Sequence, residues 1–113
     1  MERTPVEMLD PIFGPGVAKS ATAQITVMPA GVVCSAELFL GTSETNKAAT
    51  SSPKTFTSTG AAQNVALPVT MPSAGGAYHV YLDILASGIA LGAFQATEDV
   101  LIATAQVGPI TWA

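Results

Sequence analysis

The chain has 113 residues, of which 49% are hydrophobic and 11% are charged. This length suits one domain, which excludes a two-domain enzyme or a (β/α)8 barrel, and the apolar composition argues against a disordered chain. The net charge is −4, and the four basic residues are scattered along the sequence. Because phosphate binding needs several converging cations, we expect no nucleic-acid partner.

Residues 1–19 are predicted to form an extended N-terminal arm. Pro5, Pro11 and the turn Gly14-Pro15-Gly16 argue against a long helix or a paired strand here. The arm nevertheless carries apolar side chains, which need a surface to lie on. We expect it to dock on its own domain or on a neighbouring subunit through Val6, Met8, Leu9, Ile12 and Phe13.

From residue 20 onward the hydrophobic pattern has a period of two, which is typical of half-buried β-strands. Strands are predicted over 22–28 and 32–40, followed by a Ser/Thr-rich loop over 42–53 with a short strand near 47–50. Residues 55–57 fit a short edge strand.

The clearest strand covers 63–71, where Val65, Leu67 and Val69 alternate with polar or small residues. Pro68 lacks a backbone donor, which places this strand at an edge or at a bulge. Tyr78, Val80, Leu82 and Ile84 then share one face of the next strand.

The sequence Ala86-Ser87-Gly88 predicts a hairpin turn. The return strand covers 89–94, with a bulge or a close contact at Gly92. Further strands are predicted at 100–103 and at 107–112, the last with Ile110 and Trp112 on one face.

No segment shows apolar residues at helical spacing with helix caps. Seven to eight short strands separated by turns favour an all-β antiparallel sandwich over residues 20–113, and a β-barrel is the alternative. The predicted core consists of Ile25, Val27, Cys34, Leu38, Leu40, Val65, Leu67, Val69, Tyr78, Val80, Leu82, Ile84, Leu91 and Val100.

Residues 67–85 resemble a recurring piece of bacterial and phage immunoglobulin-like domains of the adhesion type. In these domains a strand ends in a polar turn, and a Gly-x-Tyr-x-Val pattern, here Gly76 to Val80, opens the next central strand. The resemblance implies an immunoglobulin-like sandwich in which Tyr78 bonds back to the backbone. The Cys…Trp…Cys core of antibody domains is missing, and the resemblance implies no functional residue.

His79, Tyr81 and Asp83 share one face of a predicted strand. An imidazole beside a carboxylate could serve acid–base chemistry, but no further group completes such a site. A solvated outer face is therefore the favoured interpretation, with an interface as the alternative. We expect no enzymatic activity.

Glu98 and Asp99, together with Asp83 or Glu37, are the carboxylates that could hold Ca²⁺. Calcium sites usually come from a dense acidic loop, so an ordinary acidic turn is favoured. The single cysteine, Cys34, excludes an internal disulfide and is expected to be buried. No metal and no cofactor are predicted.

The first residues lack a basic stretch followed by an apolar one, so no signal peptide is expected. The longest apolar-looking run, 84–94, has about half the length needed to cross a bilayer, so membrane insertion is not expected. We expect a location on a virion or on an extracellular surface.

These observations predict a non-catalytic building block of a larger assembly, such as a virion-surface, capsid-decorating or tail-associated protein. It would dock through the arm, a sheet edge and Trp112. The alternative is a cell-surface adhesion or carbohydrate-binding module from a longer secreted protein, with glycan contacts from the Ser/Thr-rich loop over 42–59.

Overall fold

The computed structural model describes residues 2–8 and 11–113, which form ten β-strands and no helix. The all-β prediction is therefore confirmed for these residues. Eight of the strands lie after residue 17, where seven to eight were predicted, and two lie in the N-terminal arm, where none was predicted. The strands are β1 (Thr4–Val6), β2 (Ile12–Phe13), β3 (Ala18–Thr26), β4 (Val33–Gly41), β5 (Ala49–Thr50), β6 (Lys54–Thr57), β7 (Ala62–Thr70), β8 (Gly76–Ala86), β9 (Ile89–Ala96) and β10 (Val100–Ile102).

Eight of these strands form one large sheet with β8 near its centre. β8 pairs antiparallel with β4, with β9 and with β10, and β4 also pairs with β5 and β6. The remaining two strands, β3 and β7, form a small antiparallel sheet over nine residue pairs.

The two sheets face each other and share a continuous apolar interior. Alternate residues of β7 are buried, because Val65, Leu67 and Val69 point toward the large sheet. Leu67 and Ala36, which lie on opposite sheets, belong to the same buried cluster and are fully enclosed. A second cluster, around Leu40, continues the core.

Most of the predicted core is buried in the structure, with three differences. Leu38 and Leu82 are partly buried, and Leu91 is 47% exposed. Leu91 was predicted wrongly because a bulge between β8 and β9 leaves it unpaired, so Ile84 lies opposite Gly92 and Leu85 lies opposite Ala90. The sequence had indicated this bulge only by Gly92.

The N-terminal arm pairs with its own sheet, contrary to the prediction that its prolines prevent a paired strand. β1 runs parallel to β9, and β2 runs parallel to β10. The arm contributes carbonyl groups, which proline retains: the amide of Leu101 donates to the carbonyl of Pro11 over 2.6 Å. The arm therefore lies in cis on the large sheet. Leu9, a predicted contact residue, lies outside the described residues.

The predicted hairpin turn is confirmed. Ser87 and Gly88 both have positive φ, at 50° and 77°, which is the backbone of a tight hairpin turn. The hydroxyl of Tyr78 donates to the carbonyl oxygen of Ala74 over 2.8 Å, which ties the start of β8 to the preceding turn.

The predicted last strand over 107–112 is absent from the structure. Residues 103–113, called here the C-terminal segment, have no regular structure, and every one of them is exposed. Trp112 is 93% exposed. The strand-like pattern of this segment has no backbone partner within the described part of the chain, which explains the wrong prediction. The molecule measures 71 × 25 × 21 Å.

Candidate functional site

The outer face of the large sheet carries a polar and aromatic cluster. Tyr81 and Phe39, on β8 and β4, stack with ring centroids 5.0 Å apart, and both are almost fully buried. The sequence predicted a solvated face at Tyr81, which is wrong because Arg3 of the arm covers both rings. Its guanidinium carbon lies 4.8 Å from the Tyr81 centroid and 5.7 Å from that of Phe39.

Arg3 is held over these rings by acidic partners. It bonds to Asp83 over 2.7 Å, to the carbonyl oxygen of Phe94 over 3.1 Å, and to Glu44. Burial lowers the pKa of Arg3, but the hydrogen bonds and charges of Asp83 and Glu44 outweigh that effect and raise it. Burial raises the pKa of Tyr81. This cluster joins the arm to the sheet.

A second group of contacts fixes the neighbouring loop. Glu37 accepts hydrogen bonds from Lys47, over 2.9 Å, and from Thr50. Burial raises the pKa of Glu37, but these two bonds and the positive charge of Lys47 outweigh that effect, so the net pKa is lowered. Lys47 also lies 4.7 Å from the ring centroid of Phe39, so it extends the cover over the aromatic pair.

The structure does not bring together the side chains that the acid–base and calcium hypotheses require. His79 bonds to Asp99 over 2.7 Å rather than to Asp83, and both of these side chains are substantially exposed. Asp83 bonds to Arg3 and Glu37 to Lys47, so the candidate calcium carboxylates have separate partners. Over residues 2–8 and 11–113, no three His, Cys, Asp or Glu side chains converge on a metal position. Cys34 is buried, as predicted.

The predicted contact residues of the arm divide into two sets. Val6 and Ile12 remain exposed, at 44% and 63%. Met8 and Phe13 are partly buried against the core cluster around Leu40.

An open apolar groove runs along β3 between the two sheets. It consists of two adjoining cavities of about 490 and 610 Å³. Leu38 and Val80 of the large sheet line both cavities, as do Ala21 of β3 and Met8 of the arm. Sequence reasoning missed this groove, because it depends on the spacing between the sheets and not on any local pattern.

Over residues 2–8 and 11–113, β3 pairs only with β7, so its backbone has no partner strand along the side that borders the groove. The amide of Met71 donates to the carbonyl of Val17, so residues 17 and 71 form a hydrogen-bonded pair. Because such pairs alternate along an antiparallel ladder, the odd-numbered residues of β3 bond to β7. The even-numbered residues direct their N–H and C=O groups away from β7. Pro68 lies opposite Ser20, so the proline nitrogen occupies a position where no ladder donor is needed.

The fold and these surfaces define an all-β protein with an open groove, an unpaired strand edge and an apolar C-terminal segment. Comparisons of the chain with protein-family models, curated proteins and solved structures found no match. The part of the chain that the structure describes contains no helix long and apolar enough to cross a membrane.

Proposed function

We propose that this protein is a non-catalytic structural subunit that associates with further copies into a larger assembly, such as a virion surface, a capsid decoration or a tail structure. The observation that carries the proposal is the groove along β3 with its unpaired strand edge. Exposed strand edges and apolar grooves are sites of protein association, and proteins that stay monomeric usually protect them.

Exposed apolar side chains elsewhere support the same proposal. Val6 and Ile12 of the arm point outward although the arm backbone is paired in cis. Leu101 and Ile89 are also exposed, at 43% and 66%. Such side chains can extend an interface without any change in the fold.

We further propose that the sandwich is immunoglobulin-like. Immunoglobulin sandwiches place strands B and E in one sheet and strands C, F and G in the other. The same order results when β3 and β7 are taken as B and E, and β4, β8 and β9 as C, F and G. The bond from Tyr78 to Ala74 matches the tyrosine corner of such domains.

The alternative function, carbohydrate binding or adhesion, finds less support in the geometry. Small-molecule sites are lined by aromatic side chains around a few converging polar groups. Phe56, the aromatic residue of the Ser/Thr-rich loop, is partly buried, and Trp112 is the only exposed Phe, Tyr or Trp in the part of the chain that the structure describes.

Light scattering on the full chain over a series of concentrations tests the proposal. We expect the mass to rise above 11.4 kDa, the monomer mass, as the concentration increases. A mass that stays at the monomer value at every concentration, with binding to an oligosaccharide panel, would overturn the proposal in favour of the alternative.

A further inference from the structure

We propose that the C-terminal segment of one copy adds as a β-strand to the open edge of β3 in a second copy and places Ile110 and Trp112 in the groove. This inference rests on the proposed function and names the contact by which copies would associate. It joins the open edge of β3 to a segment in which, among the described residues, only Ala103 has a backbone partner, through its bond to the carbonyl of Phe13.

The acceptor is the backbone of β3. Ser20, Thr22 and Gln24 direct their amides and carbonyls away from β7, so a new strand can bond to them without breaking the existing ladder. Main-chain hydrogen bonds of this kind provide affinity in strand addition, and pockets for alternate side chains provide specificity.

The groove supplies the pocket. Leu38 and Val80 form part of its wall on the large sheet, and Ile84 and Phe94 continue this wall along the larger cavity. Volumes of about 490 and 610 Å³ are within the range that encloses large apolar groups. The groove is therefore large enough for an indole and a branched aliphatic side chain.

The donor has the pattern and length that parallel addition to β3 requires. In that orientation Ile110 and Trp112 bond to β3, and Pro109, which lacks a backbone donor, directs its nitrogen away from β3. In an extended conformation Ile110 and Trp112 lie on one face, while Val107 lies on the other. The ten residues that follow Ala103 span about 33 Å when extended, against about 30 Å for the nine residues of β3. The segment carries no charged residue, so it brings no ionised group into the groove; the charged side chains that line the groove are Glu7, in both cavities, and Lys19, in the smaller one.

A second copy is the occupant that the shape of the molecule favours. The C-terminal segment is exposed throughout and does not lie in its own groove. The molecule is almost three times as long as it is wide, and its radius of gyration of 16.9 Å exceeds the roughly 13 Å expected for a compact domain of this size. The segment is thus available to a neighbour.

The test uses the single tryptophan of the chain as its own reporter. Light scattering gives the mass of the full chain at rising concentration, and the fluorescence emission of Trp112 gives the environment of the indole in the same samples. We expect the mass to rise and the emission to shift to shorter wavelength over the same concentration range, because the exposed indole becomes buried.

Two pairs of variants test the donor segment and the acceptor strand separately. Ile110→Asp places a charge in the groove and should weaken association about tenfold or more, whereas Val107→Asp puts the same charge on the opposite face and should leave it unchanged. Thr22→Pro removes a donor from the open edge of β3. Ala66→Pro, directly opposite on β7, removes one from the other edge and serves as its control.

The result expected is loss of association in Ile110→Asp and Thr22→Pro, with both controls associating like the unchanged chain. Ile110 is exposed in the monomer, so the donor variants test the contact even if a proline variant fails to fold. A rise in mass without a shift in emission would overturn this inference and leave the proposed function intact. A shift at constant monomer mass would mean that the segment fills its own groove, which overturns the second copy as occupant. No rise and no shift would overturn both proposals.

Discussion

The two faces of the strand pair β4 and β8 are both buried, but by different means. On the inner face, Ala36 and Ile84 pack against apolar side chains of the small sheet. On the outer face, Phe39 and Tyr81 are covered by Arg3, which approaches from the far end of the chain and is held by carboxylates. The burial of the inner face depends on the area and shape of apolar side chains, whereas the burial of the outer face depends on a few hydrogen bonds and ion pairs made by Arg3.

This difference shows how a chain with few charges uses them. Only 11% of its residues are charged, yet Arg3, Glu37, Glu44, Lys47 and Asp83 gather on or beside one face of the large sheet. There they fasten the arm and the loop that contains β5. Substitutions on the inner face should therefore affect stability most when they change side-chain volume. Substitutions on the outer face should affect it most when they change a charge, and there stability should also depend on pH.

Loss of volume on the inner face should have the largest effect. Leu67 of β7 is fully buried between the sheets, so Leu67→Ala removes apolar contacts and leaves a cavity. We expect the free energy of unfolding to fall by about 2–5 kcal/mol, measured by urea denaturation. Asn64→Ala, an exposed change on the same strand, should alter it by less than about 0.5 kcal/mol. Equal effects of the two would contradict an apolar core at this position.

Removal of Arg3 tests the outer cover. Arg3→Ala leaves the carboxylate of Asp83 without its partner and uncovers the ring of Tyr81. We expect a loss of about 1–3 kcal/mol in the free energy of unfolding, by the same denaturation measurement. Arg3→Lys keeps the charge but not the planar fork, so it should recover only part of the loss. Full recovery by lysine would show that charge alone accounts for the contact.

A buried hydroxyl links the loop before β4 to β6 and should have a smaller effect. The hydroxyl of Ser58 donates to the carbonyl of Pro29 over 2.6 Å and accepts from the amide of Val32 over 2.9 Å. Ser58→Ala leaves both groups without this partner and should cost about 1–2 kcal/mol in thermal or urea unfolding. The exposed change Ser73→Ala is the control. If Ser58→Ala matches it, the two bonds add nothing to stability.

The smallest effect is expected from Glu37 and depends on pH. Its lowered pKa means that the paired carboxylate stabilises the fold above its ordinary pKa of about 4.5, and that this stabilisation is lost as the pH falls through the lowered value. Glu37→Gln should lower the free energy of unfolding by less than about 1 kcal/mol at pH 7, with no difference in strong acid. Urea titrations across this range measure it, with the exposed Glu98→Gln as control. A pH-independent difference would rule out the ionised pair as the cause.

Local patterns of the sequence predict much of the strand order along the chain but not how the outer face is covered. Alternation along β7 predicts Val65, Leu67 and Val69 as buried, because one side of a strand faces the core. The Ser87-Gly88 turn and the Tyr78 bond are equally local. Nothing near Tyr81 in the sequence indicates Arg3, which is 78 positions away, so its burial could not be predicted from its own strand.

The same limit applies to the ends of the chain. The prolines of the arm led to the wrong prediction that no paired strand forms there, because the carbonyl of Pro11 still accepts a bond from β10. The C-terminal segment shows the reverse error, since a strand pattern at Ile110 and Trp112 is present without a strand. Backbone pairing depends on a partner strand, and that information is not local.

The covered outer face did have one local indication in the sequence. Phe39 and Tyr81 are large aromatic residues at positions of β4 and β8 that otherwise carry polar side chains on that face.

Pro68 gives the small sheet two unequal sides. Its ring nitrogen faces the outer edge of β7 and interrupts the row of amide donors there, while the edge of β3 keeps its full row. A strand that adds to this sheet therefore finds an uninterrupted row of backbone donors only along β3. Under the strand-addition proposal each copy would have one donor and one acceptor, which is a head-to-tail relation, and repetition of such a contact generates a closed ring or an open filament.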